Sequence, residues 1–131
     1  MKTTLIVFSL LSSSLCVAQG TTVESVALYI AQQHNQNQKN ILDDMTVTST
    51  AEAVGKNVRI TNILRVKRGL SQAKRNEFQI ALYDELVPKA CKTNLENAAF
   101  EKGLYYTFLY FNTYGEKLAE FIVNKRACGR V

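Results

Sequence analysis

The chain has 131 residues, 47% of them apolar and 21% charged, with a formal net charge of +5. That balance suits a single globular domain with a core, and excludes a disordered chain or a membrane protein with several spans. One histidine and three cysteines are too few for a metal cluster or a disulfide-dense scaffold.

Met1-Lys2 supplies a positive charge, Leu5 to Leu11 an apolar run, and Cys16-Val17-Ala18 small residues just before Gln19. This is the pattern of a secretory signal peptide over residues 1–18, cleaved after Ala18, which leaves 19–131 as a single domain. An anchor helix needs about 20 apolar residues, and the serines at 12–14 interrupt the run short of that. Leu15 stands before Cys16 where a lipoprotein signal carries a small residue, so a soluble exported chain is expected instead of a lipid-anchored one. Export leaves Cys91 and Cys128 as an even pair in an oxidising compartment, expected to form a structural disulfide. Their wide spacing is unlike the Cys-x-x-Cys of redox-active thiols.

Thr21 and Glu24 form a capping box ahead of Val23, Val26, Ala27 and Ile30, whose spacing predicts an amphipathic helix from Thr22 to about Gln36. His34 falls in its Gln/Asn-rich end and reads as a solvated surface residue. β-Branched residues predict a strand from Met45 to Thr50, a turn at Gly55-Lys56-Asn57, and a second strand from Val58 to about Lys67. In that strand Val58, Ile60, Leu64 and Val66 share one face, interrupted by Asn62.

Ser71 caps a predicted helix with Phe78, Ala81, Leu82 and Leu86 on one stripe, and Pro88 either kinks it or opens a turn. A short helix from Leu95 to Lys102 ends at Gly103. Leu104 to Phe111 reads as a central strand that is apolar on both faces, Asn112 to Gly115 turns the chain, and Leu118 to Lys125 returns as the last strand. The fold class is therefore α+β, with about four antiparallel strands in one sheet and about three helices packed on one face.

These marks, with Cys91 in Cys-Lys-Thr-Asn, Tyr105-Tyr106-Thr107-Phe108, Gly115-Glu116-Lys117 and Ala127-Cys128-Gly129, resemble the small exported bacterial proteins described as quorum-sensing-regulated virulence factors. The fold of that family is similar to the small pilotins of type II secretion. The resemblance implies an α+β domain in the Gram-negative periplasm, possessing a Cys91–Cys128 disulfide and no transferable catalytic residues. It also implies a pilotin-like surface groove for another protein, although the departure from a lipoprotein signal sets aside the cargo-carrying role of lipidated pilotins.

Arg65, Lys67, Arg68, Lys74 and Arg75 make one segment strongly basic. Such a run is either a solvated face or a weak contact for the anionic envelope surface, and outside the cytosol nucleic acid is not its partner. The aromatic run is either core on both sides or, on its outward parity, a partner-binding surface. The candidate partner-binding residues are Arg65, Lys67, Tyr106, Phe108 and Tyr110. Asp43-Asp44 and Asp84-Glu85 are neighbours whose side chains diverge, and the chain lacks Gly-x-Ser-x-Gly, His-Glu-x-x-His and a glycine-rich phosphate loop. The expectation is a non-enzymatic, periplasmic or secreted binding protein without cofactor or metal, engaging another envelope or secreted protein through a groove or exposed sheet face. The competing reading is a small inhibitor or immunity protein that blocks an envelope-acting enzyme with a loop, at Asn112 to Lys117 or Gly55 to Asn57.

Overall fold

The computed structural model describes residues 21–129, so the expected leader, its cleavage point and Cys16 lie outside the described residues. Helix α1 (Val23–Gln36) begins at Thr22, whose side chain accepts from the Ser25 N–H, one residue later than the capping box predicts. Val26, Ala27, Ile30 and Ala31 form its buried stripe. A single-turn helix α2 (Gln38–Ile41) leads to β1 (Thr46–Val54), and a tight turn at Gly55, with φ at 61°, leads to β2 (Asn57–Leu64). Ser71 caps α3 (Gln72–Thr93) by accepting from the Lys74 N–H, and the helix runs through Pro88 without ending. Short α4 (Ala98–Glu101), β3 (Tyr105–Asn112), β4 (Lys117–Val123) and short α5 (Lys125–Cys128) complete the chain.

The sheet order is β1-β2-β3-β4. β1 with β2 and β3 with β4 are antiparallel hairpins, but the central pair is parallel, in register from Asn57↔Tyr105 to Leu64↔Asn112. The sheet is thus mixed, which corrects the expectation of four antiparallel strands. The connection from Leu64 to Tyr105 contains a helix of 22 residues, about 33 Å of return path, and a crossover of that kind brings the next strand in parallel. Five helices stand among the described residues where about three were expected. The additional ones are single turns, too short to leave a periodic signal.

Both long helices cover one face of the sheet, α1 over β1 and β2, and α3 over β4. That face carries Val58, Ile60, Tyr106, Phe108, Phe121 and Val123 into the core. Phe121 stacks on Phe108 with centroids 5.4 Å apart and on Tyr110 at 6.1 Å, while Tyr83 of α3 meets its edge at 5.7 Å. Cys91 in α3 is bonded to Cys128 in α5, with Cα atoms 5.4 Å apart, so the chain that follows the last strand is tied to the crossover helix.

His34 is buried, with 1% of its surface exposed, which corrects the surface reading. It continues the inward stripe of α1, and the polar sequence around it conceals that parity. Its Nε2 lies 2.8 Å from Ser49 Oγ, and Ser49 donates to Asn62 Oδ1 at 2.7 Å. The serine hydroxyl has one proton, so Nε2 must carry the hydrogen of the His34–Ser49 bond. Asn62, the polar interruption of β2, is therefore part of a buried chain of hydrogen bonds, and its Nδ2 donates onward to the Leu109 carbonyl at 3.5 Å. Burial lowers the His34 pKa to about 4, with the contact to Ser49 acting the other way.

The unfolded chain protonates His34 below its ordinary 6.5 and the folded protein only below about 4. Stability is consequently full above pH 6.5 and falls as the pH drops toward 4, by up to about 3 kcal/mol from this group. Urea midpoints measured across that window should decline for the parent, and His34→Gln should show a flatter profile. In the same assay Cys91→Ser, or reductant, should remove about 4 kcal/mol according to the chain-entropy account of cross-links.

Candidate binding groove at an edge of the sheet

A sheet of this order has two edges, β1 and β4, and the protein treats them differently. At β1 the Asn35 carboxamide donates from Nδ2 to the Ala51 carbonyl at 2.9 Å and accepts from the Ala51 N–H at 2.8 Å. Those are the two bonds that a further strand would make to Ala51, so the middle of this edge is closed by α1. At β4 the Glu120 N–H points away from β3 and meets a single acceptor, Gln79 Oε1, at 3.3 Å.

Between β4 and the first half of α3 lies an open groove of about 250 Å³. Its helix wall carries Gln72, Asn76 and Gln79, and its strand wall runs from Lys117 to Glu120. Gln72, Asn76 and Gln79 share a stripe because their spacing is four and then three residues. Gln72 Nε2 donates to Asn76 Oδ1 at 3.0 Å, which holds two of these amides in place. Arg75 is positioned by donating from Nε to the Leu70 carbonyl at 3.2 Å, and its guanidinium lies 3.8 Å from Glu116. Lys117 pairs with Glu120.

Of the basic segment, Arg75 lines the groove, while Arg65, Lys67, Arg68 and Lys74 lie outside its lining. Arg65 donates to the Asp44 carbonyl at 2.8 Å and Lys67 is exposed, while Arg68 lies 5.0 Å above the Tyr114 ring. Tyr114 tops the β3–β4 turn and is 59% exposed. The turn is fixed from within: Asn112 Oδ1 accepts from the N–H groups of Tyr114 and Glu116, and Asn112 Nδ2 donates to Glu116 Oε1. Glu116 also accepts from the Gly69 N–H at 2.8 Å, which joins the turn to the loop before α3. That backbone bond and the Asn112 amide hold the Glu116 carboxyl below its usual range; burial opposes this, and Arg75 and Arg68 reinforce it. Gly69 and Gly115 both have φ in the left-handed region, at 73° and 82°, which glycine adopts without strain.

Of the residues singled out from the sequence, Arg65 and Lys67 are exposed but do not line the groove, and Arg65 is held beside the start of β1 by the Asp44 carbonyl. Tyr106, Phe108 and Tyr110 are each at most 2% exposed and face the helices. They fill the core. Alternation separates the two faces of a strand but does not say which one the helices cover when both are apolar. The other parity of β3 includes Thr107, Leu109 and Phe111 and lies on the sheet face turned away from α1 and α3, where Thr107 and Leu109 are nonetheless buried. The space between α1 and α3, lined by His34, Leu86 and Tyr110 among others, holds about 10 Å³, room for one water and not for a helix. The groove residues Gln72, Asn76, Gln79 and Lys117 were missed by sequence reasoning. The amide stripe was visible in the 72-76-79 spacing, but nothing local marks β4 as an edge.

Among known proteins, no family model and no curated sequence matches the chain. The chain shares its fold with a secretion pilotin. The solved structure of the type II secretion system pilotin AspS from Vibrio cholerae aligns with a TM-score of 0.53 and 18% identity, over 81% of this chain and 92% of that one. At that identity the likeness speaks for the fold. None of the helices in the described residues is long and apolar enough to cross a membrane.

Because Glu116 joins the turn to Gly69, Glu116→Gln should speed hydrogen exchange at the Gly69 amide severalfold while leaving amides of α1 unchanged. Its pKa is lowered, so the same loosening should appear in the parent on acidification through the carboxylate range, and the variant should lack that step.

Proposed function

We propose that the protein is a non-enzymatic, pilotin-like binding protein of the bacterial envelope, exported and disulfide-bonded, which engages another envelope or secreted protein. The pilotin fold shared over 92% of the AspS chain carries this reading. The Cys91–Cys128 bond suits an oxidising compartment. The resemblance to the exported virulence-factor family points to the same compartment and supplies no chemistry of its own. Among the surfaces present, the groove beside β4 offers the most varied recognition, with backbone, amide and cationic groups within one cavity. The sheet face turned away from α1 and α3, where Ile122 is 48% exposed and Leu109 is buried, is the other.

A second reading, as an inhibitor of an envelope-acting enzyme, is favoured by the β3–β4 turn. Tyr114 projects from a loop fixed by Asn112, Glu116 and Arg68, and a rigid exposed aromatic suits insertion into a cleft.

Crosslinking in cells that produce the full chain tests both. The expected result is a processed, oxidised protein joined to one envelope or secreted protein. If that partner is an enzyme whose rate falls on addition of the pure protein and recovers with Tyr114→Ala, the second reading holds. Repeated crosslinking that leaves the protein alone would overturn both.

A further inference from the structure

The difference between the two sheet edges indicates what sort of partner segment the groove receives. Along β4 the backbone groups of Glu120 face outward, and ladder alternation points those of Ile122 the same way. Gln79 supplies one acceptor at 3.3 Å, where Asn35 gives Ala51 both a donor and an acceptor at shorter range. The side-chain amide of Gln79 thus occupies the position of a peptide group without completing its bonds. Gln72 to Gln79 spans about 10 Å along the helix axis, the length of about three residues of extended chain. An incoming strand would find β4 backbone on one side and an array of side-chain amides on the other, and a peptide backbone is itself a line of amide donors and acceptors. A helix about 10 Å wide would overfill a groove of 250 Å³ and leave the Glu120 edge unpaired.

Charge selects further. The two cations that line the groove, Arg75 and Lys117, each already lean on a carboxylate, Glu116 and Glu120. We infer that the groove receives an extended, acidic segment of the partner protein, which pairs with β4 as a fifth strand. This rests on the binding role proposed above and names the site and the chemistry of what enters it. An acidic side chain on the segment exchanges with Glu120 at Lys117, and the segment's carbonyl replaces Gln79 on the Glu120 N–H.

The test uses the exported, oxidised protein and three fluorescent peptides of about nine residues, long enough to form a strand. One alternates Thr and Val with Glu, one carries Lys in place of Glu, and one is an acidic amphipathic helix. Fluorescence anisotropy should show the Glu strand binding at least about tenfold tighter than the other two, less so at high salt. Hydrogen exchange should slow at Glu120 and Ile122 when it binds. Glu120→Pro removes an outward donor and no ladder bond, so it should fold and lose binding at least about tenfold. Gln79→Glu, an exposed helix substitution, should lose binding through repulsion and serves if the proline variant does not fold. Equal binding of the Glu and Lys strands, no binding, or unchanged binding by a folded variant would overturn the inference. A photocrosslinker at Asn76 or at Thr61, on the sheet face turned away from the helices, separates this from the broader role. Crosslinks to the cellular partner from Asn76 support the groove, crosslinks from Thr61 alone overturn the groove and leave the binding role, and crosslinks from neither remove both.

Discussion

The parallel pairing of β2 with β3 is the constraint on which the rest of the structure depends. A parallel neighbour cannot be reached by a turn, so the chain must travel back along the sheet between Leu64 and Tyr105. It does so as α3, and the returning helix lies over β4 while α1 lies over β1 and β2. One face of the sheet is sealed by this division of labour, and the stacked rings of Tyr106, Phe108 and Phe121 lie in the core beneath the helices. The disulfide then ties the end of the crossover helix to α5, the segment that leaves the last strand. Helix packing and covalent cross-link therefore act on the same junction.

The crossover also makes the two sheet edges unequal. α1 runs close enough to β1 for Asn35 to satisfy Ala51 with a complete peptide-like pair of bonds. α3 plays two parts along its length. Its later half buries Leu82, Leu86, Val87 and Ala90, whereas its first half presents Gln72, Asn76 and Gln79 beside β4. In that first half Phe78 still packs against the core, but the stripe turned toward β4 carries amides in place of apolar side chains, and a polar groove results. Exposed strand edges invite pairing with other chains, so an edge bordered by amides and cations is suited to selective use where an apolar one would aggregate.

Several features were legible because their causes are local. Ser71 precedes α3 as expected, since its hydroxyl needs only the N–H three residues on. The turn at Gly55 and the turn from Asn112 to Gly115 follow from residues that tolerate left-handed backbone or bond their own neighbours. Cys91 and Cys128 were paired by counting. His34 was not legible, because a polar sequence at a helix end reads as solvated and its buried partner, Ser49, comes from β1. That Tyr106, Phe108 and Tyr110 are core and not partner-binding surface was illegible for a related reason: a strand with two apolar faces carries no local sign of which one the helices take.

The amino-acid order alone determined the cysteine pair, the order of the long elements and the α+β class, since each follows from residues close in sequence or from simple arithmetic. Tertiary structure alone decided the direction of β3, the side on which the aromatic run is buried, the hydrogen-bonded chain from His34 to Asn62, and which edge stays open. Those outcomes depend on the path of α3 across the sheet, and a path is set by the packing of distant surfaces, about which periodicity within any one segment is silent.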